Sequence, residues 1–119
     1  MPKEFGRKDR VASQMQKELS FILQRELRDP RLGFITINDV ELTRDLALAK
    51  VYFTVLSPDA KARAAQQKLL ADLTPQIRHL LAGRMRLRHI AELRFIYDDS
   101  FDKGMRVAAL LGEVGRNDE

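Results

Sequence analysis

The chain has 119 residues, room for one domain with one hydrophobic core but not for two. It contains no cysteine, which excludes disulfides, thiolate chemistry and cysteine-built zinc sites and points to a reducing compartment. Its net charge of +4 is uneven: residues 1–97 carry 18 Lys and Arg against 11 Asp and Glu, whereas residues 98–119 carry three against six.

A basic body favours a polyanionic partner, through long-range steering and counterion release. Met1 to Arg7 lead into charge rather than an apolar run, so no signal peptide is expected. The longest apolar stretch, Val107 to Leu111, is too short to cross a bilayer. A soluble, cytoplasmic protein without a membrane partner is therefore expected.

Val11, Met15, Leu19, Ile22, Leu23 and Leu27 recur at helical spacing and predict a first helix ending at Asp29-Pro30. Phe34 to Leu42 reads as a strand with a phase error: Ile35 and Ile37 share one face, Val40 and Leu42 the other. One extra residue near Asn38-Asp39, a β-bulge, restores a single buried face. Thr43-Arg44-Asp45 forms a polar turn, and Ala47 to Leu56 alternates with Ala49, Val51, Phe53 and Val55 inward, predicting an antiparallel hairpin.

Ser57 as N-cap and Pro58 at the first position open a helix that buries Ala62, Ala65, Leu69 and Leu73. Pro75 lacks an amide hydrogen and clashes with the preceding turn, so a kink or a fresh start capped by Thr74 is predicted. The second half turns Ile77, Leu80, Leu81 and Met85 inward. Leu93, Phe95 and Tyr97 predict a third strand, and Asp99 or Ser100 caps a last helix through Met105 and Leu111. Strands and helices segregate in part, so the expected class is α+β.

The richest segment for chemistry is residues 78–94, with five arginines and two histidines against one acid, Glu92. Arginine suits phosphate because its planar fork donates two parallel hydrogen bonds. Arg78, His79, Arg84, Arg86 and Arg88 are the first candidates for a phosphate-contact surface, with Arg86 and Arg88 on one side if that stretch is extended. Lys3, Arg7, Lys8 and Arg10 form a second patch in an arm that orders on contact. Arg28, Arg31 and Arg44 form a third, in loops placed near one end of the sheet. A solvated helix face, a charged loop or ordinary solubility charge is the competing explanation for each patch.

Catalytic constellations are poor. His79 and His89 lack a triad partner by spacing, and no P-loop or dinucleotide fingerprint occurs. Asp98, Asp99 and Asp102 could hold a divalent cation, but helix capping explains them more cheaply. The alternating aromatics Phe53, Phe95 and Tyr97 suit a core rather than base stacking, leaving Tyr52 as the aromatic on the other sheet face. No enzyme, metal or cofactor is expected.

At this point the residues resemble a known family. Glu4-Phe5-Gly6-Arg7, Arg10-Val11-Ala12, Met15-Gln16-Lys17-Glu18-Leu19 and Ile22 to Gly33 look like ribosome-binding factor A. So do Thr43 to Ala47, Ala49 to Tyr52, Ile77 to Leu81, Met85 to Arg88, Glu92 to Phe95, Tyr97 to Ser100 and Gly104 to Arg106. The resemblance implies one KH-like domain of the second topological type over residues 1–113, with the basic arm 1–8, and a short tail at 114–119. Its implied order is α-β-β-α-α(kinked)-β-α, a mixed three-stranded sheet packed by helices. It further implies binding to free 30S subunits and late maturation of 16S ribosomal RNA, including its 5′ end, with importance in the cold. Assembly GTPases would act on the same particle, and the protein would be a monomer off the ribosome. The alternative is a generic single-stranded RNA-binding KH-like module. Family members carry an Ala-x-Gly kink between paired helices; here Leu73-Thr74-Pro75 occupies that place, and a proline can enforce the same bend.

Overall fold

Helix α1, Arg7–Phe21, starts behind an extended Gly6 and places Asp9 in its first turn, where a carboxylate complements the helix dipole. In the computed structural model, which describes residues 6–56 and 59–100, α1 does not run to Asp29 as regular α-helix. Residues Ile22–Glu26 form a π turn instead, closed by the Leu27 amide donating to the Ile22 carbonyl at 2.7 Å. In an α-helix, residues five apart lie roughly 140° apart around the axis. The wider turn brings Leu27 back under Ile22, so both are buried with Met15 and Leu19.

Strands β1 (Ile35–Leu42) and β2 (Leu48–Val55) pair antiparallel, and the register shifts between Ile37 and Asp39. The bulge puts Ile35, Ile37, Val40 and Leu42 on one buried face, as the phase error requires. It is held from three sides. Gln16 Nε2 donates to the carbonyls of Ile37 (3.2 Å) and Asn38 (3.1 Å), Asp39 accepts from the Val40 amide, and Asn38 donates to Asp98.

The turn between the strands is locked by Thr43, whose hydroxyl donates to Asp45 at 2.7 Å, while Asp45 also accepts from the Ala47 amide. These contacts, the Thr43 bond first, hold the Asp45 carboxyl below the usual carboxylate range. Leu46 closes the turn at φ 60°, the left-handed region that a branched side chain seldom occupies.

Strand β3 (Glu92–Tyr97) runs parallel to β2, giving a mixed sheet of order β1-β2-β3. The central strand supplies the fully buried Ala49, Val51 and Phe53, and Phe53 meets Tyr97 edge-on at 5.7 Å between ring centres. A parallel neighbour needs a crossover, and α2 (Ala60–Met85) is that crossover.

Helix α2 corrects the expected break. It is one unbroken helix of 26 residues with Pro75 inside it, not a pair. Pro75 and Ala71, whose carbonyl loses its partner to the proline, are both exposed, so water can serve that carbonyl. Thr74 caps nothing: its hydroxyl donates back to the Leu70 carbonyl at 2.8 Å. The inward stripe also differs from expectation in the first half. Leu69 and Leu70 are buried and Ala62 is half-buried, whereas Ala65 is exposed. Asp59 is the N-cap, accepting from the Lys61 amide; the expected cap at Ser57-Pro58 and the last helix lie outside the described residues. The described chain is thus α+β: a three-stranded mixed sheet with α1 and α2 packed on it.

Candidate nucleic-acid interface

The C-terminus of α2 delivers the arginine-rich segment. Arg86 is the C-cap in the left-handed conformation (φ 55°, ψ 38°), its amide donating to the Ala82 carbonyl. The strain of a non-glycine residue there is of order 1 kcal/mol. From that cap the chain turns toward β3, with Arg86 and Arg88 exposed and Leu87 half-buried between them. Both arginines are exposed, but the segment is not a strand, so the alternation expected of an extended stretch does not apply to it. Arg44, in the β1–β2 turn, is exposed at the same end of the sheet, since the Glu92 amide that opens β3 donates to the Ala47 carbonyl. Arg44, Arg86 and Arg88 have no ion pair among the described residues.

Two of the predicted arginines are committed to partners within the protein. Arg78 is half-buried and donates to the carbonyls of Ile90 (2.8 Å) and Ala91 (3.2 Å), bracing the loop before β3. Arg84 pairs with Glu18 and, at 3.2 Å, with Glu26, and its guanidinium lies 4.1 Å from the centre of the Phe21 ring. The Glu18 hydrogen bond raises its pKa further above an already high value. This cluster fastens α2 to α1 and its π turn. His79 is exposed further back on α2.

The other patches are arranged differently from expectation. Arg7, Lys8 and Arg10 stand exposed on the first turn of α1 rather than in an arm; Lys3 lies outside the described residues. Arg28, Arg31 and Arg44 do not gather at one end of the sheet. The loop carrying the first two leads into β1 and the turn carrying Arg44 leaves it, at the other end of an eight-residue strand about 26 Å long.

Arg31 is exposed yet committed. Asp29 accepts from its backbone amide (2.9 Å), Nε (3.0 Å) and terminal nitrogen (2.7 Å). The Arg31 guanidinium, ahead of its backbone amide, holds the Asp29 carboxyl down at about 2. Gln66 of α2 clamps the same loop, accepting from the Gly33 amide and donating to the Arg31 carbonyl, both at 3.0 Å.

Beside this loop lies a cleft of about 900 Å³, lined by Leu23, Arg25, Leu27 and Arg28 on one wall and Leu32 and Phe34 on the other. Phe34 is 63% exposed, and Arg25 and Arg28 are exposed without an ion pair among the described residues. Arg25 and Phe34 belong to none of the patches expected from the sequence. A signal existed for Phe34: with Ile35 and Ile37 facing inward, period-two alternation turns Phe34 outward.

Among the described residues no group of three His, Asp or Glu side chains is placed to hold a metal, and no helix is long and apolar enough to cross a membrane. Asp98 accepts from the Ser100 hydroxyl and amide and from Asn38, the Ser100 hydroxyl contributing most to a lowered pKa. Tyr52 is half-buried and donates to Glu41 at 3.1 Å; burial first, then Glu41, pushes its phenol up.

Comparison with known proteins agrees with this architecture. Residues 7–111 match the family model of ribosome-binding factor A. A ribosome-binding factor A from Shewanella amazonensis is 48% identical over 119 residues, covering the whole chain and 87% of that protein. The solution structure of a Thermotoga maritima protein, a candidate ribosome binding factor A, superposes with a TM-score of 0.70 at 32% identity, covering 81% of this chain and 91% of that one. A homology model of Thermus thermophilus ribosome binding factor A, fitted into the cryo-EM map of a 30S complex, gives 0.61 at 26% identity over 74% and 91% of the two chains. An arginine-bearing α+β domain of this topology, matched over most of its length by one family model, belongs to the ribosome-binding factor A family.

Proposed function

We propose that this chain binds the free 30S subunit by seating Arg44, Arg86 and Arg88 on phosphates of 16S ribosomal RNA, and performs no chemistry itself. The carrying observation is that Arg44, Arg86 and Arg88, exposed and without an ion pair among the described residues, stand on two loops at one end of the sheet. Family membership supports the reading, as does the 30S complex of the Thermus relative. His79 and the first turn of α1, with Arg7, Lys8 and Arg10, extend the cationic surface. Arg78 and Arg84 serve it indirectly, by fixing the loop before β3 and the seat of α2.

On this reading the domain is KH-like, acts in the cytoplasm as a monomer off the ribosome, and assists late 16S maturation, including the 5′ end, with its greatest effect in the cold. Assembly GTPases act on the same particle. Exposed arginines on a preformed surface hold an immature RNA arrangement until neighbouring helices settle.

Co-sedimentation with purified 30S subunits tests the reading. The chain carrying Arg44→Ala, Arg86→Ala and Arg88→Ala is expected to lose most 30S binding with little change in thermal midpoint. If each arginine meets one single-stranded phosphate, log affinity falls with log salt at a slope near −2 for these contacts. Tripling the salt then weakens their contribution roughly tenfold. Undiminished binding by the triple variant would overturn the assignment.

A further inference from the structure

We infer that the cleft between the π turn and the loop before β1 is a second RNA contact, one that takes an unpaired nucleotide with its base against the Phe34 ring. The inference rests on the ribosomal RNA reading above and adds a ligand to a site that reading does not use.

The cleft joins what a splayed-out nucleotide needs. Phe34 leaves most of its ring in solvent, at the mouth of a cleft with Leu23, Leu27 and Leu32 in its walls. An exposed aromatic stacks on any base, because every base has a π-face. Arg25 and Arg28 stand at the same cleft and suit the flanking phosphates. The acid in its lining, Asp29, is already neutralised by Arg31, so it does not repel a polyanion. The Gln24 side chain also lines the cleft, with a donor and an acceptor suited to a base edge.

The walls are preformed. The Asp29–Arg31 pair and the two Gln66 hydrogen bonds fix the loop, and the Leu27 to Ile22 bond fixes the opposing turn. A π turn inside a helix frequently marks a functional site. Here Arg25 and Arg28, on either side of Leu27 in the chain, line the cleft with it. The Phe34 side of the cleft leads into β1, at the other end of that strand from Arg44, so it engages a different nucleotide.

The test uses the full chain and a single-stranded RNA hexanucleotide carrying one 2-aminopurine. With no tryptophan in the chain, that fluorophore is read without protein background. Binding is expected to quench it by stacking. Phe34→Leu should abolish the quench and weaken binding about tenfold, the order expected for one stacked base, while leaving the thermal midpoint in place. Arg28→Ala should lower the magnitude of the salt slope by about 0.7. Co-sedimentation of the unaltered protein with 30S subunits runs in parallel.

If the protein binds 30S but the hexanucleotide is neither quenched nor sensitive to Phe34→Leu, the nucleotide site is overturned and the ribosome reading stands. Loss of 30S binding by Phe34→Leu with hexanucleotide binding untouched also overturns it, and assigns the cleft to a ribosomal protein. A Phe34-dependent quench without 30S co-sedimentation supports the nucleotide site and sinks the ribosome reading instead.

Discussion

Arg84 packs its guanidinium between two carboxylates and the Phe21 ring, whereas Arg86, two residues on, holds a left-handed backbone with its side chain in solvent. Their substitutions should therefore separate. Arg84→Ala is expected to lower the thermal midpoint by loosening α1 from α2, seen by calorimetry. Arg86→Gly should raise stability by about 1 kcal/mol, because glycine adopts that backbone without strain, and should weaken 30S binding. Neither effect was legible in the sequence, where both residues are arginines in one basic run. What distinguishes them is Glu18 and Glu26, which lie about sixty residues away along the chain.

Asp29 allows a pH prediction at the same scale. Its folded pKa is depressed to about 2, so its ion pair adds stability at pH values above the ordinary carboxylate range and loses that contribution as pH falls through about 2. Asp45 and Asp98 are shifted in the same direction. The Gly33 amide signal, followed by NMR, is expected to hold its native position at pH 4 and to move only as the solution approaches pH 2.

At the scale of elements, the β1 bulge could be read from the sequence because strand alternation has a period of two, and a single inserted residue shows as an inverted phase. The path of α2 could not be read from Pro75 alone. A proline is a strong local breaker, but the apolar series Leu70, Leu73, Ile77 and Leu81 continues across it at helical spacing, and burial of Leu70, Ile77 and Leu81 outweighs one missing hydrogen bond. Two outcomes follow for chemical denaturation. Pro75→Ala should stabilise by about 1–3 kcal/mol, since Ala restores the bond to Ala71 and meets no neighbour at this exposed site. Leu70→Ala should destabilise by about 2–5 kcal/mol, because that side chain is fully buried. The π turn was hidden for a related reason: Leu23 and Leu27 fit a regular helix on paper, and only packing favours Ile22 over Leu23 as the fully buried residue.

For the whole molecule, the fold class and the basic character were legible, while the grouping of cations was not. Chain order already puts Arg28 before β1 and Arg44 after it; what it does not show is that the parallel β2–β3 pairing brings the loop of Arg86 and Arg88 to the end of the sheet where Arg44 lies. Arg28 and Arg44 stand on separate loops and share no ion-pair partner among the described residues, and their free energies should add. Combining Arg28→Ala with Arg44→Ala is therefore expected to multiply the separate losses in 30S affinity, measured at fixed salt.

The parallel pairing of β2 with β3 has a consequence for biosynthesis. The middle strand of the sheet is translated early, but the strand that covers its second edge is completed only at Tyr97. Until then the nascent chain bears an open row of amides and carbonyls beside a half-built interior, the geometry that invites intermolecular strand pairing. A polypeptide ending at Met85 should accordingly precipitate or recruit chaperones, whereas one extended through Ser100 should not.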